Sequence, residues 1–195
     1  MTIGILAFGS VVDHPGVELE AVTVRLIDVE TPFAIEYARS SRTRDGAPTL
    51  VPVKDGGARL PAKVLVLDKS VSVAEARGML YRRETGLRGD TADRVARVSW
   101  IAELTGFAGL DTCLYVALGV NISPLTAGRL ADLAIQSASS GAGTQRRDGI
   151  SYLEQQQRRG LTTPLTGPYE AAVLARTGAR DLATAWARVR ENSCG

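Results

Sequence analysis

Residues 60–86, LPAKVLVLDKSVSVAEARGMLYRRETG, decide the fold class, because the hydrophobic pattern changes its period within them. Residues 60–67 form a short, strongly apolar run, which predicts a buried strand. Apolar residues then recur three and four positions apart, which predicts a helix. Ser72 followed three residues later by Glu75 is a capping box that begins this helix, and Gly86 is a signal that ends it. A strand and a helix are therefore joined by a short connection.

Strands are predicted on both sides of this stretch. The full set of predicted strands covers residues 3–8, 20–29, 33–39, 49–53, 60–67, 95–104 and 110–118. A polar loop at residues 40–47 contains the turn signal Arg-Asp-Gly, and residues 106–109 form the turn between the last two strands.

The rest of the chain predicts helices, at residues 124–138, 145–159, 169–177 and 181–190. Seven strands followed by helices predict an α+β fold. The strand run is long enough to close into a barrel with one helix inserted before the final strands, although closure cannot be read from the pattern. We expect a single domain over residues 1–195, with a barrel core at residues 1–120 and a helical C-terminal part at residues 121–195.

Composition excludes several classes of partner. The chain has 195 residues, a net charge of +2 with scattered basic residues, and only 5% aromatic residues. Neither a basic patch nor a stacking platform for nucleic acid is indicated. No apolar run approaches the roughly 18 residues that a membrane-spanning helix needs, and the N-terminus lacks the features of a signal peptide. We expect a cytoplasmic protein that binds neither nucleic acid nor membrane; the pattern does not define its oligomeric state.

Common metal and cofactor sites are also excluded. The chain has one histidine, His14, in a turn sequence, and two distant cysteines, Cys113 and Cys194. A zinc site needs several such ligands, and we expect both cysteines to be reduced. No P-loop is present, and the glycines at 141 and 143 are more typical of a loop than of a dinucleotide site. No metal or cofactor is expected.

Two short segments remain as candidates for chemistry. The first predicted strand ends in Phe8-Gly9-Ser10-Val11, where successive backbone N–H groups at a turn can bind an anion such as a carboxylate. The predicted helix at residues 72–86 ends in Arg82-Arg83-Glu84, which places a carboxylate near its terminus. Taken singly, a plain turn and a solvated helix end are the more common explanations of such segments.

Taken together, these segments resemble the gamma-glutamylcyclotransferase superfamily. Residues 4–16, GILAFGSVVDHPG, are similar to the opening of its ChaC-like branch, a strand followed by Tyr-Gly-Ser-Leu and then Asn-Pro-Gly. Phe8 stands where the family has tyrosine, which removes a hydroxyl and keeps the Gly-Ser backbone. Arg82-Arg83-Glu84 resembles the family motif whose final glutamate is the catalytic base. The similarity continues in the strand pair around residues 44–50 and in short motifs beyond residue 141, so it covers most of the chain.

The resemblance implies a small mixed beta barrel surrounded by helices, and a specific reaction. The free alpha-amine of a gamma-glutamyl group attacks its own gamma-carbonyl, which releases 5-oxoproline and a free amine. Glu84 would be the general base, and the backbone of Phe8, Gly9, Ser10 and Val11 would bind the small-molecule gamma-glutamyl substrate. No cofactor or metal is implied, and glutathione is one candidate substrate.

Two alternatives stay open. A related enzyme of gamma-glutamyl amine transfer or release, an acyltransferase, would use the same Gly-Ser turn and glutamate. A non-catalytic binding or accessory domain would keep the fold without the activity, because fold alone does not define function. Successive helix residues point about 100 degrees apart, so we expect at least one of Arg82 and Arg83 to face away from Glu84.

Overall fold

The computed structural model describes residues 1–87, 95 and 98–193. Within these residues the strands are β1 (Ile3–Ala7), β2 (Thr23–Glu30), β3 (Ala34–Ser41), β4 (Ala47–Val53), β5 (Pro61–Leu67), β6 (Ile101–Thr105) and β7 (Thr112–Val116). The helices are α1 (Ser10–Asp13), α2 (Val17–Val22), α3 (Val73–Thr85), α4 (Ala127–Ser139), α5 (Gly141–Thr144), α6 (Gly149–Arg158), α7 (Thr166–Thr177) and α8 (Leu182–Ser193).

The chain divides into two compact units. The first, which we call the sheet unit, consists of Met1–Pro32 and Pro61–Leu118. The second, which we call the helical unit, consists of Phe33–Leu60 and Gly119–Gly195. The chain therefore passes between the units three times, and neither unit is a continuous segment.

The sheet unit is built on a mixed five-stranded sheet with the strand order β2-β5-β1-β7-β6. β1 lies in the centre, antiparallel to β5 and parallel to β7. All five residues of β1 are buried, as expected for a strand with a neighbour on each side and covered faces. Because β1 is central, the turn that follows it starts from a fixed position.

Gly4 allows the neighbouring strands to pack closely against β1. A Cβ atom at this position would lie 2.5 Å from Leu110 Cδ1 and 2.7 Å from Val64 Cγ1. Such distances require the neighbouring side chains to move, so a larger residue would disrupt the packing of the sheet.

α3 packs on the sheet through its apolar side. Ala76, Leu80 and Tyr81 are buried with Ile5 and Leu114 in the core of the sheet unit. The predicted limits of this helix are confirmed: Ser72 and Glu75 form the capping box, and Gly86 ends the helix in the left-handed conformation with φ of 69°. Packing and caps together fix the C-terminal turn of α3, which carries the candidate carboxylate.

Two predicted strands have different limits in the structure. The predicted strand at residues 20–29 begins at Thr23, because residues 17–22 form α2. The predicted strand at residues 95–104 begins only at Ile101 in the structure, and Val95 is helical. Residues 96 and 97 of that prediction lie outside the described residues.

The helical unit combines the β3–β4 hairpin with α4 to α8. Within this unit α4 contacts the other four helices and also β4. Glu36 on β3 is fully buried, and its carboxylate accepts hydrogen bonds from Thr163 Oγ1 at 2.5 Å and from the Leu165 backbone N–H at 3.1 Å. Buried carboxylates are costly unless they are hydrogen-bonded, so these bonds connect the hairpin to the segment before α7.

The α+β class is confirmed, but the barrel that the resemblance implies is not found among the described residues. β2 and β6 are the edges of an open sheet, and β3 pairs with β4 in a separate two-stranded sheet. The hairpin therefore does not contribute strands to the larger sheet. Residues 33–60, which the sequence pattern assigns to a core at residues 1–120, instead group with the C-terminal helices.

Within the part of the chain that the structure describes, no helix has both the length and the hydropathy needed to cross a bilayer.

Candidate active site at the end of the first long helix

The turn after β1 is the first candidate segment. Gly9 has φ of 57° and ψ of −130°, a backbone conformation that favours glycine. The chain then enters the short helix α1, in which the Val11 N–H donates to the Phe8 carbonyl at 3.3 Å and the Val12 N–H donates to the Gly9 carbonyl at 3.4 Å. A substrate anion would therefore compete with a backbone carbonyl for the N–H of Val11.

The side chains of this turn face the core more than the surface. Phe8 and Val11 are each only 8% exposed, so the phenyl ring of Phe8 is a packing group. The turn can offer its backbone and the Ser10 side chain to a ligand. A binding role for Phe8, Gly9, Ser10 and Val11 stays a prediction.

Glu84 lies in the last turn of α3, where the helix dipole disfavours a carboxylate. Its side chain is 18% exposed, so it is neither solvated like a surface residue nor fully enclosed. The neighbouring guanidinium of Arg83 offsets the dipole by pairing with Glu84 Oε1. The candidate base is thus held by an ion pair.

Arg83 connects the two candidate segments. Its Nη2 donates to the Ser10 carbonyl at 3.0 Å and lies 3.4 Å from Ser10 Oγ, while Nε donates to the His14 carbonyl at 3.0 Å. The same guanidinium pairs with Glu84. Ser10 and Glu84 therefore both contact the guanidinium of Arg83, which joins the two segments.

Arg82 points elsewhere, as expected for the adjacent helix position. Its Nε donates to both carboxylate oxygens of Glu18, at 2.9 and 3.0 Å. This hydrogen bonding raises the pKa of Arg82 above its ordinary value. The Arg82–Glu18 pair ties α2 to α3 and leaves Arg83 as the cation beside Glu84.

A cleft lies between residues 15–19 and the exposed face of α3. It has a volume of about 590 Å³, and Arg82, Arg83 and Leu87 are among the residues that line it. Arg83 thus lines the cleft and also contacts both Ser10 and Glu84. Neither Glu84 nor residues 8–11 line this cleft, so it is not a cavity shared by the two candidate segments.

Sequence reasoning missed the role of Arg83. The sequence predicted only that at least one of Arg82 and Arg83 faces away from Glu84, whereas Arg83 is the group that joins the carboxylate to the turn. The available signal was the basic residue directly before the carboxylate in the last helical turn. Its long side chain can curl back toward a sequence neighbour although the two Cβ atoms point apart.

Other residues with reactive side chains are placed unfavourably for chemistry. Cys113 is fully buried, and burial raises the pKa of its thiol to about 12, so it is not a thiolate nucleophile near neutral pH. Cys194 lies outside the described residues. His14 directly follows α1 and is exposed. Within residues 1–87, 95 and 98–193, no group of three or more potential metal ligands is found.

Comparison of the chain with protein-family models, curated proteins and solved structures gives no match. The resemblance to gamma-glutamylcyclotransferases therefore rests on the sequence motifs alone.

Proposed function

We propose that the protein is an enzyme of the gamma-glutamylcyclotransferase type, with Glu84 as its general base. The observation that carries the proposal is the Arg83 guanidinium, which contacts both the turn at Ser10 and the carboxylate of Glu84. Two segments that are far apart in sequence thereby supply a backbone turn, a cation and a carboxylate to one place.

The proposed reaction needs only these groups. The substrate alpha-amine is largely protonated at neutral pH, so a base must remove a proton before attack. The amine nitrogen then forms a bond to the gamma-carbonyl carbon, and the bond from that carbon to the leaving nitrogen breaks. The attacking nitrogen loses two protons between its ammonium form and the lactam N–H, and Glu84 relays both to the leaving nitrogen, so 5-oxoproline and the leaving amine in its ammonium form are produced without water or a cofactor. Ring closure is intramolecular and gains from a fixed reactive pose.

Arg83 gives this mechanism a trigger. A substrate carboxylate is a bidentate partner for a guanidinium, and in binding Arg83 it would compete with Glu84 for the same N–H groups. Glu84 would then be released to accept the proton of the alpha-amine. Substrate binding and activation of the base would in this way be one event.

The finer fold assignment, a gamma-glutamylcyclotransferase-like barrel, belongs to the same proposal, as does a cytoplasmic location. The mechanism does not depend on barrel closure, because the central strand β1 and the capped helix α3 position the reacting groups. The proposed substrate is a small-molecule gamma-glutamyl amide or peptide.

One observation favours a non-catalytic domain instead. Glu84 is already engaged in an ion pair with Arg83. If its carboxylate stayed in this pair, it would serve only to hold the turn against α3. The two functions differ in one measurable property, which is whether product formation depends on Glu84.

The decisive experiment is detection of 5-oxoproline after incubation with glutathione and with other gamma-glutamyl amides. We expect Glu84→Gln to fold like the wild type and to lose activity by at least about a hundredfold, the usual contribution of a general base. Glu103→Gln is the matched control, since Glu103 also pairs with an arginine, Arg77, at 3.0 Å in the sheet unit. This control should retain wild-type activity.

Equal activity of wild type and Glu84→Gln would remove Glu84 from the mechanism. Absence of 5-oxoproline from every gamma-glutamyl compound would favour the binding domain.

A further inference from the structure

The cleft beside Arg83 has largely apolar walls. Met79 lies on its α3 side, Val17 lies on the opposite side, and Leu87 follows the end of α3. The volume of about 590 Å³ is within the range of small-molecule sites, which are mostly apolar with a few polar groups. The cleft is therefore large enough to hold part of a small substrate.

Two apolar residues that line the cleft are exposed to solvent. Val17 is 82% exposed and Leu87 is 48% exposed. A single exposed aliphatic side chain is ordinary, but two on one concave surface offer area that a ligand can cover. Covering this surface favours binding in proportion to the apolar area removed from water.

The charged groups that line the cleft already have partners. Arg82 is paired with Glu18, and Arg83 is paired with Glu84. A cationic ligand would compete with these guanidiniums for their carboxylates. An aliphatic leaving group would contact the walls and add no charge beside either ion pair.

We propose that this cleft binds the leaving amine of the substrate, and that this amine is aliphatic. The inference rests on the proposed function, in which the gamma-glutamyl group reacts beside Ser10 and Glu84. Arg83 contacts both of those residues and also lines the cleft. A substrate that passes Arg83 would therefore carry its leaving group from the reacting carbonyl into the cleft.

The kinetic test compares gamma-glutamyl-leucine with gamma-glutamyl-glycine as substrates. We expect kcat/KM to favour the leucine compound by about tenfold or more, since an apolar pocket discriminates at this level for added methylene groups. The double variant Val17→Thr/Leu87→Asn makes the cleft more polar while it keeps the branching of both side chains. In this variant the kcat/KM values for the leucine and glycine compounds should differ by less than about threefold.

The matched control is Val24→Thr/Leu26→Asn. Val24 and Leu26 lie on β2, are 61% and 54% exposed, and do not line the cleft. This variant makes the same two chemical changes at comparable exposure, and it should keep the wild-type ratio. A loss of preference in both double variants would overturn the assignment.

A binding measurement separates this inference from the proposed reaction. The chain has two methionines, Met1 and Met79, so methionine methyl labelling gives two NMR signals. Titration with leucine should shift the Met79 signal and leave Met1 in place, glycine should shift neither, and the Val17→Thr/Leu87→Asn variant should lose the response. Glu84-dependent turnover with a ratio near one and no Met79 shift would overturn the cleft assignment and leave the proposed function standing. A specific Met79 shift with no 5-oxoproline from any substrate would support the aliphatic site and remove the reaction.

Discussion

At the scale of single residues, Arg83 organises the sheet unit's candidate site. Its guanidinium meets two backbone carbonyls and one carboxylate, and its side chain is only 15% exposed. Hydrogen bonds from a charged group to partly buried acceptors contribute more to stability than exposed ion pairs do. Arg83 therefore combines a structural contribution with its proposed role toward the substrate carboxylate.

We predict that Arg83→Met lowers the free energy of unfolding by about 1–3 kcal/mol, because it removes these bonds and leaves their acceptors without a donor. Arg82→Met is the matched control from the same helical turn. Its ion pair with Glu18 is more exposed, with 32% and 50% of the two side chains accessible, so we expect a loss of less than about 1 kcal/mol. Urea denaturation of both variants measures the difference. Equal losses would show that the contacts of Arg83 add nothing beyond a surface ion pair.

At the scale of elements, the capping box makes α3 sensitive to pH. The backbone N–H and the hydroxyl of Ser72 donate to Glu75, and these bonds lower the pKa of the Glu75 carboxyl from its ordinary value of 4.5. Because the pKa is lower in the folded state, the charged carboxylate stabilises the fold at any pH above the unfolded-state value. That stabilisation is lost as the pH falls through the folded-state pKa.

We predict that Glu75→Gln is less stable than the wild type at neutral pH, and that the difference vanishes in acid. Glutamine can still accept from the Ser72 N–H, so only the contribution of the charge is removed. Thermal unfolding of both proteins over a pH range from about 7 to about 3 measures this difference. In a Ser72→Ala background it should narrow but persist, because the backbone N–H remains. A difference that grows toward low pH would contradict the assignment.

Sequence reasoning succeeded where local signals decide the element. α3 was predicted with its caps because Ser72, Glu75 and Gly86 are neighbours in the chain. α2 was missed because its six residues, VELEAV, continue into the strand without a turn signal and alternate in polarity like a strand. The separation of the β3–β4 hairpin from the main sheet depends on pairing between distant segments, which no local pattern encodes.

The same limit applied to the candidate site. Glu84 and the Gly-Ser turn could be selected from sequence because each is a short motif. Their connection through Arg83 could not be, because it depends on the conformation of a long side chain. The engagement of the Val11 N–H by the Phe8 carbonyl was also missed, since the motif does not show that the chain enters α1 at once.

At the scale of the whole molecule, each of the two units carries its own fluorescent probe. Trp100 lies in the sheet unit, stacked on Tyr81 of α3 with ring centroids 5.7 Å apart. Trp186 lies on α8 in the helical unit, where its indole N–H donates to Asp148 at 3.1 Å. Because the chain contains two tryptophans, Trp186→Phe leaves a probe of the sheet unit and Trp100→Phe leaves a probe of the helical unit.

These two single-tryptophan variants allow the stability of each unit to be followed separately. Glu36→Gln replaces a fully buried acceptor with an amide, which cannot accept at both oxygen positions from Thr163 and Leu165. We predict a loss of about 1–3 kcal/mol from the donor left unpaired, seen mainly as a lower urea midpoint of Trp186 fluorescence. Arg83→Met should instead lower mainly the urea midpoint reported by Trp100, because the contacts of Arg83 lie in the sheet unit. If each substitution instead moved both midpoints equally, the two units would unfold in one cooperative transition, and the division of the chain would describe its contacts without describing its stability.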